Sequence, residues 1–377
     1  VLVVHHRRFT AVVVATLAVF VAVAAAGCTG GKSSPKPSPT PSPASSLPQL
    51  ARERGIAIGA GVNEVRMDRE RYQSLVLENV TSITPQNAFK WENTEPAQGH
   101  YDFSAVDPLV QFAANHHLRV RACCLAWHTQ NPKWLTTGTF TKAQATAIFR
   151  AHIKAVVGRY KGKVAQWDVV NEVFHTATGK VVPFDSVWLK TMGPTYIAEA
   201  FRAAHEADPK AQLFANEFGN EGPGGHFDAF YNLVRKLKAE GVPINGVGLQ
   251  MHRGLEHPTA AEVLLVMQKY AALGLQVEIT EMDLPLPLPA DQAALQRQGV
   301  LFRQMTATCL RLAACTGITF WGVDDGDRIG TLIRANRGAH TMFDKTGAPK
   351  PAYFGVVAAL QNAPGPTKRL SPGKPAG

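Results

Sequence analysis

Eight short β-branched or apolar runs, longer segments of helical period between them, and no internal linker predict an α/β fold: a single (β/α)8 TIM barrel after an N-terminal signal or lipoprotein segment and a Pro/Ser-rich linker. The chain has 377 residues, 45% of them hydrophobic and 18% charged. Such a composition buries a large core, and barrels of ~250 residues or more fold as one unit.

In chain order, His5, His6, Arg7 and Arg8 precede an apolar run from Ala11 to Ala26 that ends in small residues. A basic start, an apolar middle and a small-residue end define a secretory signal peptide, expected over residues 1–27. As a membrane span the run falls short of the ~20 apolar residues required, and Arg7-Arg8 reads as a plain basic start. Cys28 after Ala25-Ala26-Gly27 resembles the lipid-modified cysteine of bacterial lipoproteins. Residues 28–47, with Pro35, Pro37, Pro39, Pro41 and Pro43 among Ser, Thr and Lys, cannot bury apolar surface and should form an extended spacer.

The barrel is expected over residues 48–363, with strands near 56–60, 82–85, 118–125, 164–170, 212–215, 246–250, 276–280 and 317–321. Between the second and third, Val106, Leu109, Val110 and Ala113 recur at i, i+3, i+4 and i+7, one face of an amphipathic helix. Helices likewise fit 142–160, 194–207, 227–239, 260–273, 292–312 and 350–360. A flexible tail is expected over 364–377.

The formal charge of +10 is raised by Arg7, Arg8, Lys32, Lys36, Lys368, Arg369 and Lys374, all outside the barrel. A basic surface suits an acidic polysaccharide or cell wall, and equally serves solubility alone. No basic stripe interleaved with aromatics points to nucleic acid. With no ligand cluster at strand ends and no glycine-rich phosphate loop, neither a metal nor an organic cofactor is expected, and a monomer suffices. In an exported chain Cys309 and Cys315 could close a short disulfide loop between a helix end and the next strand.

Chemistry in such barrels sits just beyond the strand C-termini. There the fourth strand leads into Trp167-Asp168-Val169-Val170-Asn171-Glu172, and the seventh into Glu278-Ile279-Thr280-Glu281-Met282-Asp283. Both aim a carboxylate at one central cleft. Two facing carboxylates are what retaining glycoside hydrolysis requires.

Further motifs keep a fixed order: Lys90-Trp91-Glu92 with Glu95-Pro96, Trp127-His128, Ala207-Asp208-Pro209, Gly246 to His252, Trp321-Gly322 and Pro349 to Tyr353. With the two carboxylate segments, they make the chain resemble glycoside hydrolase family 10, the endo-1,4-β-xylanase family, across the whole barrel. The resemblance implies that Glu172 is the acid/base and Glu281 the nucleophile. It implies that Asn171 binds the sugar 2-hydroxyl, that His252 hydrogen-bonds the nucleophile and is oriented by Asp168, and that Gln250 contacts the acid/base region. Asn87 and Lys90 would bind hydroxyls on the non-reducing side, while Trp127 and Trp321, with His128 beside the former, would line the sugar path as aromatic platforms. Double displacement needs Glu172 protonated while Glu281 is ionised, so their surroundings must push the two pKa values apart.

Three residues depart from the family pattern around the sugar to be cleaved: Gln86 in place of Glu, Cys123 in place of His, and Ile329 in place of Trp. Each loses a hydrogen bond or a stacking face, which changes sugar preference. Cys123 is read as a small packing residue or as half of a vicinal disulfide with Cys124. The expected substrate is xylan or a related β-linked polysaccharide, and the expected location is the outer face of the membrane, touched only through the lipid anchor. The alternatives are a β-glucanase of a related clan and a non-catalytic carbohydrate-binding surface lipoprotein.

Overall fold

The computed structural model describes residues 45–252, 258–327 and 335–364. The expected signal peptide, Cys28, most of the proline-rich linker, Ile329 and the tail beyond 364 lie outside the described residues. The folded body begins slightly before the expected boundary at 48. Ser46 caps a helix over Leu47–Glu53 by accepting from the Gln49 N–H, and Leu47 is buried; a Ser followed by a Pro-containing first turn is a helix start rather than linker.

Eight parallel strands form a closed barrel: β1 (Ala57–Val62), β2 (Ser82–Pro85), β3 (Arg119–Ala126), β4 (Gln166–Asn171), β5 (Gln212–Glu217), β6 (Gly246–Leu249), β7 (Gln276–Met282) and β8 (Cys315–Phe320). They pair in chain order. The ring shuts where Ala57 of β1 lies opposite Gly317 of β8 and Ala60 opposite Phe320. Every residue of β1, β2, β3, β4, β6 and β8 is buried, as expected of parallel strands covered on both faces.

Helices follow the strands and are stopped and started by local chemistry. Thr141 with Gln144 and Thr259 with Glu262 form capping boxes that open the helices Lys142–Arg159 and Ala260–Ala272. The last helix, Pro351–Asn362, lies hard against Gln292–Arg311. A Cβ at Gly355 would stand 2.2 Å from the Gly299 carbonyl oxygen, so only glycine permits that approach. Cys309 and Cys315 are joined as a disulfide between the end of Gln292–Arg311 and the start of β8.

Besides helices such as Glu70–Asn79 between β1 and β2, a hairpin was not anticipated. Phe174–Ala177 and Lys180–Pro183 pair as an antiparallel hairpin directly after β4. Thr178 and Gly179 make its turn, both at positive φ (49° and 77°), as a two-residue hairpin loop requires.

The barrel interior below the cleft is ionic. Arg119 and Arg121 share one face of β3. Arg121 Nη1 donates to Glu278 Oε2 at 2.8 Å and its Nε to Asp168 Oδ2 at 3.0 Å, while Nη2 grips Asp168 Oδ1. Arg119 Nη2, Gln166 Nε2 and the Thr316 hydroxyl complete the shell of Glu278 at 3.2, 2.9 and 2.7 Å. All six side chains are buried. Asp168 therefore does not orient His252, contrary to expectation: both its oxygens are held by the Arg121 fork.

Candidate active site

Glu281 stands in β7 with both carboxylate oxygens occupied. Oε1 accepts from Asn216 Nδ2 at 2.7 Å and Oε2 from His252 Nε2 at 3.0 Å. The other ring nitrogen of His252 meets Asp283 Oδ1 at 3.0 Å. A ring that donates on both sides is an imidazolium. Burial alone would lower the His252 pKa, but the Asp283 and Glu281 carboxylates raise it well above 6.5. Burial would in turn raise Glu281. The hydrogen bond and charge of His252, with help from Lys90 and Asn216, instead hold it below 4.5. The carboxylate that orients His252 is thus Asp283, two residues past Glu281.

Glu172 follows β4 at φ 53°, in the left-handed region. Its Oε2 accepts from Trp127 Nε1 at 2.9 Å and its Oε1 from Gln250 Nε2 at 3.1 Å. Burial, then the Glu281 charge, raise its pKa above 4.5 despite those two donors. The environments push the two carboxylates in opposite directions.

An amide ladder joins them. Gln250 Nε2 also donates to Asn171 Oδ1 at 3.2 Å, and Asn216 Nδ2 donates to that same oxygen at 2.8 Å. The Thr280 hydroxyl donates to Asn216 Oδ1 at 2.7 Å, which fixes which way the Asn216 amide faces. Asn171, with its oxygen doubly engaged, keeps its Nδ2 as a donor for a ligand. Gly248 makes room for this arrangement, since a Cβ there would lie 2.1 Å from Asn216 Oδ1.

The expected sugar-contacting residues divide. Lys90 is buried, with Nζ 3.3 Å from Cys123 Sγ, 3.5 Å from Cys124 Sγ and 4.3 Å above the Trp127 ring. One face of Trp127 is therefore covered, and the indole acts as a hydrogen-bond donor to Glu172 as well as a surface. The vicinal disulfide is not formed; both thiols are free. The register of β3 shifts after Cys123, and the side chains of Cys123 and Cys124 both reach the Lys90 ammonium. The hydrogen bond with Cys124, then burial, push the Cys123 thiol well above 9.0, so it is a neutral packing group. His128 stacks on Phe184 with ring centroids 3.7 Å apart. Asn87 is exposed and its Oδ1 accepts from Gln130 Nε2 at 3.3 Å. Gln86 is buried, with no partner for Nε2 among the described residues. Trp321 is buried, edge-on to His252 with centroids 6.1 Å apart.

A cavity of about 520 Å³ opens beside the pair, lined by Glu172, Thr176, Phe218, Gly219, His226, Gln250 and His252. Sequence reasoning missed Asn216, Glu217 and Asp283. Asn216 and Glu217 are the last two residues of β5, beyond the apolar run that marked it; the Ile-Thr-Glu-Met-Asp spacing, which places Asp283 two residues from Glu281, was the available signal for the third.

The sequence profile of glycosyl hydrolase family 10 matches residues 46–359. Endo-1,4-beta-xylanase B of Thermotoga neapolitana is 35% identical over 320 residues, covering 83% of this chain and 90% of the relative. Beta-1,4-xylanase of Dictyoglomus thermophilum is 36% identical over 314 residues, covering 80% and 87%. Among solved structures, native xylanase 10B of Thermotoga maritima superposes with a TM-score of 0.80 at 33% identity, covering 84% of this chain and 98% of that one.

Proposed function

The chain belongs to glycosyl hydrolase family 10, and from that membership we propose that it is a retaining endo-1,4-β-xylanase in which Glu281 attacks the anomeric carbon and Glu172 protonates the leaving oxygen. The observation that carries this reading is the opposite bias of two carboxylates linked through Gln250, Asn171 and Asn216. Glu281, hydrogen-bonded to His252 and Asn216, is kept ionised as a nucleophile. Glu172 holds its proton until the leaving oxygen needs it. Once Glu281 is esterified its charge is gone, the raised pKa of Glu172 relaxes, and Glu172 can take a proton from water for the second displacement. Asn171 Nδ2, held by the ladder, is placed to donate to the 2-hydroxyl, where hydrogen bonding strengthens in the transition state.

The test is a panel of xylan, cellulose and mixed-linkage glucan, with the anomer of the first product followed by proton NMR. Oligoxylosides appearing first as the β-anomer are expected. Inverted product, turnover only on glucans, or binding without turnover would contradict the reading.

A bell-shaped pH dependence of kcat/KM is expected. Its acid limb, from protonation of Glu281, should lie below pH 4.5, and its basic limb, from ionisation of Glu172, above it. Glu172→Gln should remove the basic limb while leaving the acid limb in place, which a pH series on an activated aryl xylobioside would read.

Gly248→Ala should cost about 100-fold in kcat/KM, because the added methyl displaces Asn216 and with it Asn171 and Glu281, and misplacement by about 1 Å costs that much. Steady-state kinetics beside a thermal melt separate this from unfolding.

Three further features belong to the same reading. At Gln86 and Cys123 the sugar-binding side differs from the family pattern, and altered glycone preference is assigned there. Everything the chemistry uses comes from one chain, so a monomer suffices. The basic start, apolar run and Cys28 support export and lipid anchoring on the outer face of the membrane. Incorporation of labelled palmitate, lost in Cys28→Ala, tests that placement.

A further inference from the structure

The last residue of β5 and the loop that follows carry two fully buried carboxylates, Glu217 and Glu221, that the mechanism above does not use. Glu217 Oε2 accepts the backbone N–H groups of Val173 at 2.8 Å and Phe174 at 3.1 Å, the two residues that follow Glu172. The Glu172 N–H itself donates to the Asn216 carbonyl at 3.0 Å. Glu221 Oε1 accepts the N–H of Met251 at 3.0 Å, the residue before His252. Glu172 and Met251 are both non-glycine residues at positive φ, 53° and 64°. Such backbone is strained for a non-glycine residue and persists only where its surroundings over-determine it. The left-handed turns that present the acid/base and the partner of the nucleophile are thus each tied, through main-chain donors, to a glutamate at the end of β5 or just beyond it.

We propose that Glu217 and Glu221 are a pair of positioning residues, Glu217 holding the turn that aims Glu172 at the leaving oxygen and Glu221 holding the turn that aims His252 at Glu281. The proposal rests on the roles given above to Glu172 and Glu281. Neither glutamate touches the substrate. The two act on different partners in the first displacement, Glu217 through the acid and Glu221 through the nucleophile, and leaving-group chemistry separates them. A 2,4-dinitrophenolate departs without a proton, whereas phenolate needs one; attack by Glu281 is common to both.

The experiment compares kcat/KM on 2,4-dinitrophenyl and phenyl β-xylobiosides, with Glu172→Ala as reference. Glu217→Leu should lower kcat/KM on the phenyl substrate about 100-fold, the size of a small misplacement, and change the dinitrophenyl substrate less than about threefold, reproducing in part the pattern of Glu172→Ala, since acid catalysis supplies roughly 10²–10⁴-fold. Glu221→Leu should lower both by one common factor. Should a leucine variant not fold, judged by circular dichroism, Glu217→Asp and Glu221→Asp keep the charge but withdraw the oxygens from the main chain, and the same two patterns are expected at smaller size. Equal losses on both substrates for the folded Glu217 variant, or a leaving-group-dependent loss for the Glu221 variant, overturn the proposal. If Glu172→Ala itself shows no leaving-group dependence, the assignment of Glu172 falls and the brace with it; dependence in Glu172→Ala but not at Glu217 overturns the brace alone.

Discussion

Glu281→Ala is expected to lower xylan turnover by on the order of 10⁶-fold, the scale of loss when a covalent nucleophile is deleted. No neighbour can substitute. Asp283 is engaged with His252 at 3.0 Å, Asp168 is clamped by Arg121, and the Cys123 thiol is held neutral. The fold should survive, because Asn216 keeps its bonds to Asn171 and Thr280. The carboxylate removed leaves space beside the anomeric carbon, so a small anion such as azide should restore turnover of an activated aryl xylobioside and give an α-xylosyl azide, inverted at the anomeric centre. NMR of that product is the check. Residual xylan turnover within about 100-fold of the parent enzyme would remove Glu281 from its role.

Arg121→Met is expected to produce the largest loss of stability, about 3–5 kcal/mol, because it leaves Asp168 and Glu278 buried without their shared cation. Arg121 is fully buried and reaches both carboxylates at once. Arg121→Lys should rescue little, since one ammonium cannot replace a fork that grips Asp168 through Nε and Nη2 while Nη1 holds Glu278. The triple variant Arg121→Met, Asp168→Asn, Glu278→Gln should regain much of the loss by removing the stranded charges. Chemical denaturation monitored by Trp fluorescence distinguishes these; a single variant as stable as the parent would show that Arg119 alone neutralises the interior.

The strands were legible because their β-branched and apolar residues, as in Val164 to Val170 or Gln276 to Thr280, stand out against polar turns. Glu172, Glu281 and His252 were legible because strand-end polarity in a barrel points to chemistry. The remainder was hidden by the same logic turned around. Asn216 and Glu217 look like the start of a loop, yet they complete β5 and take part in holding Asn171, Glu281 and the turn after Glu172. Arg119, Arg121 and Glu278 look like surface charges on strands, but they neutralise one another inside the ring. The partner of His252 was misassigned because the role was carried onto Asp168 of β4 by resemblance, and only the three-dimensional position of Arg121 shows that Asp168 is engaged elsewhere. The hairpin after β4 rests on a Thr-Gly turn flanked by half-buried residues, too weak a pattern to separate from a loop.

The seam between β1 and β8 governs how much of the molecule can be lost. A product ending before β8 would leave β1 and β7 as two raw edges, each lined with unpaired amides and flanked by buried apolar side chains, the kind of surface that recruits other chains. Removing one stave thus does not trim the cask but opens it. Truncation ahead of Cys309 should yield aggregate rather than a weakened enzyme.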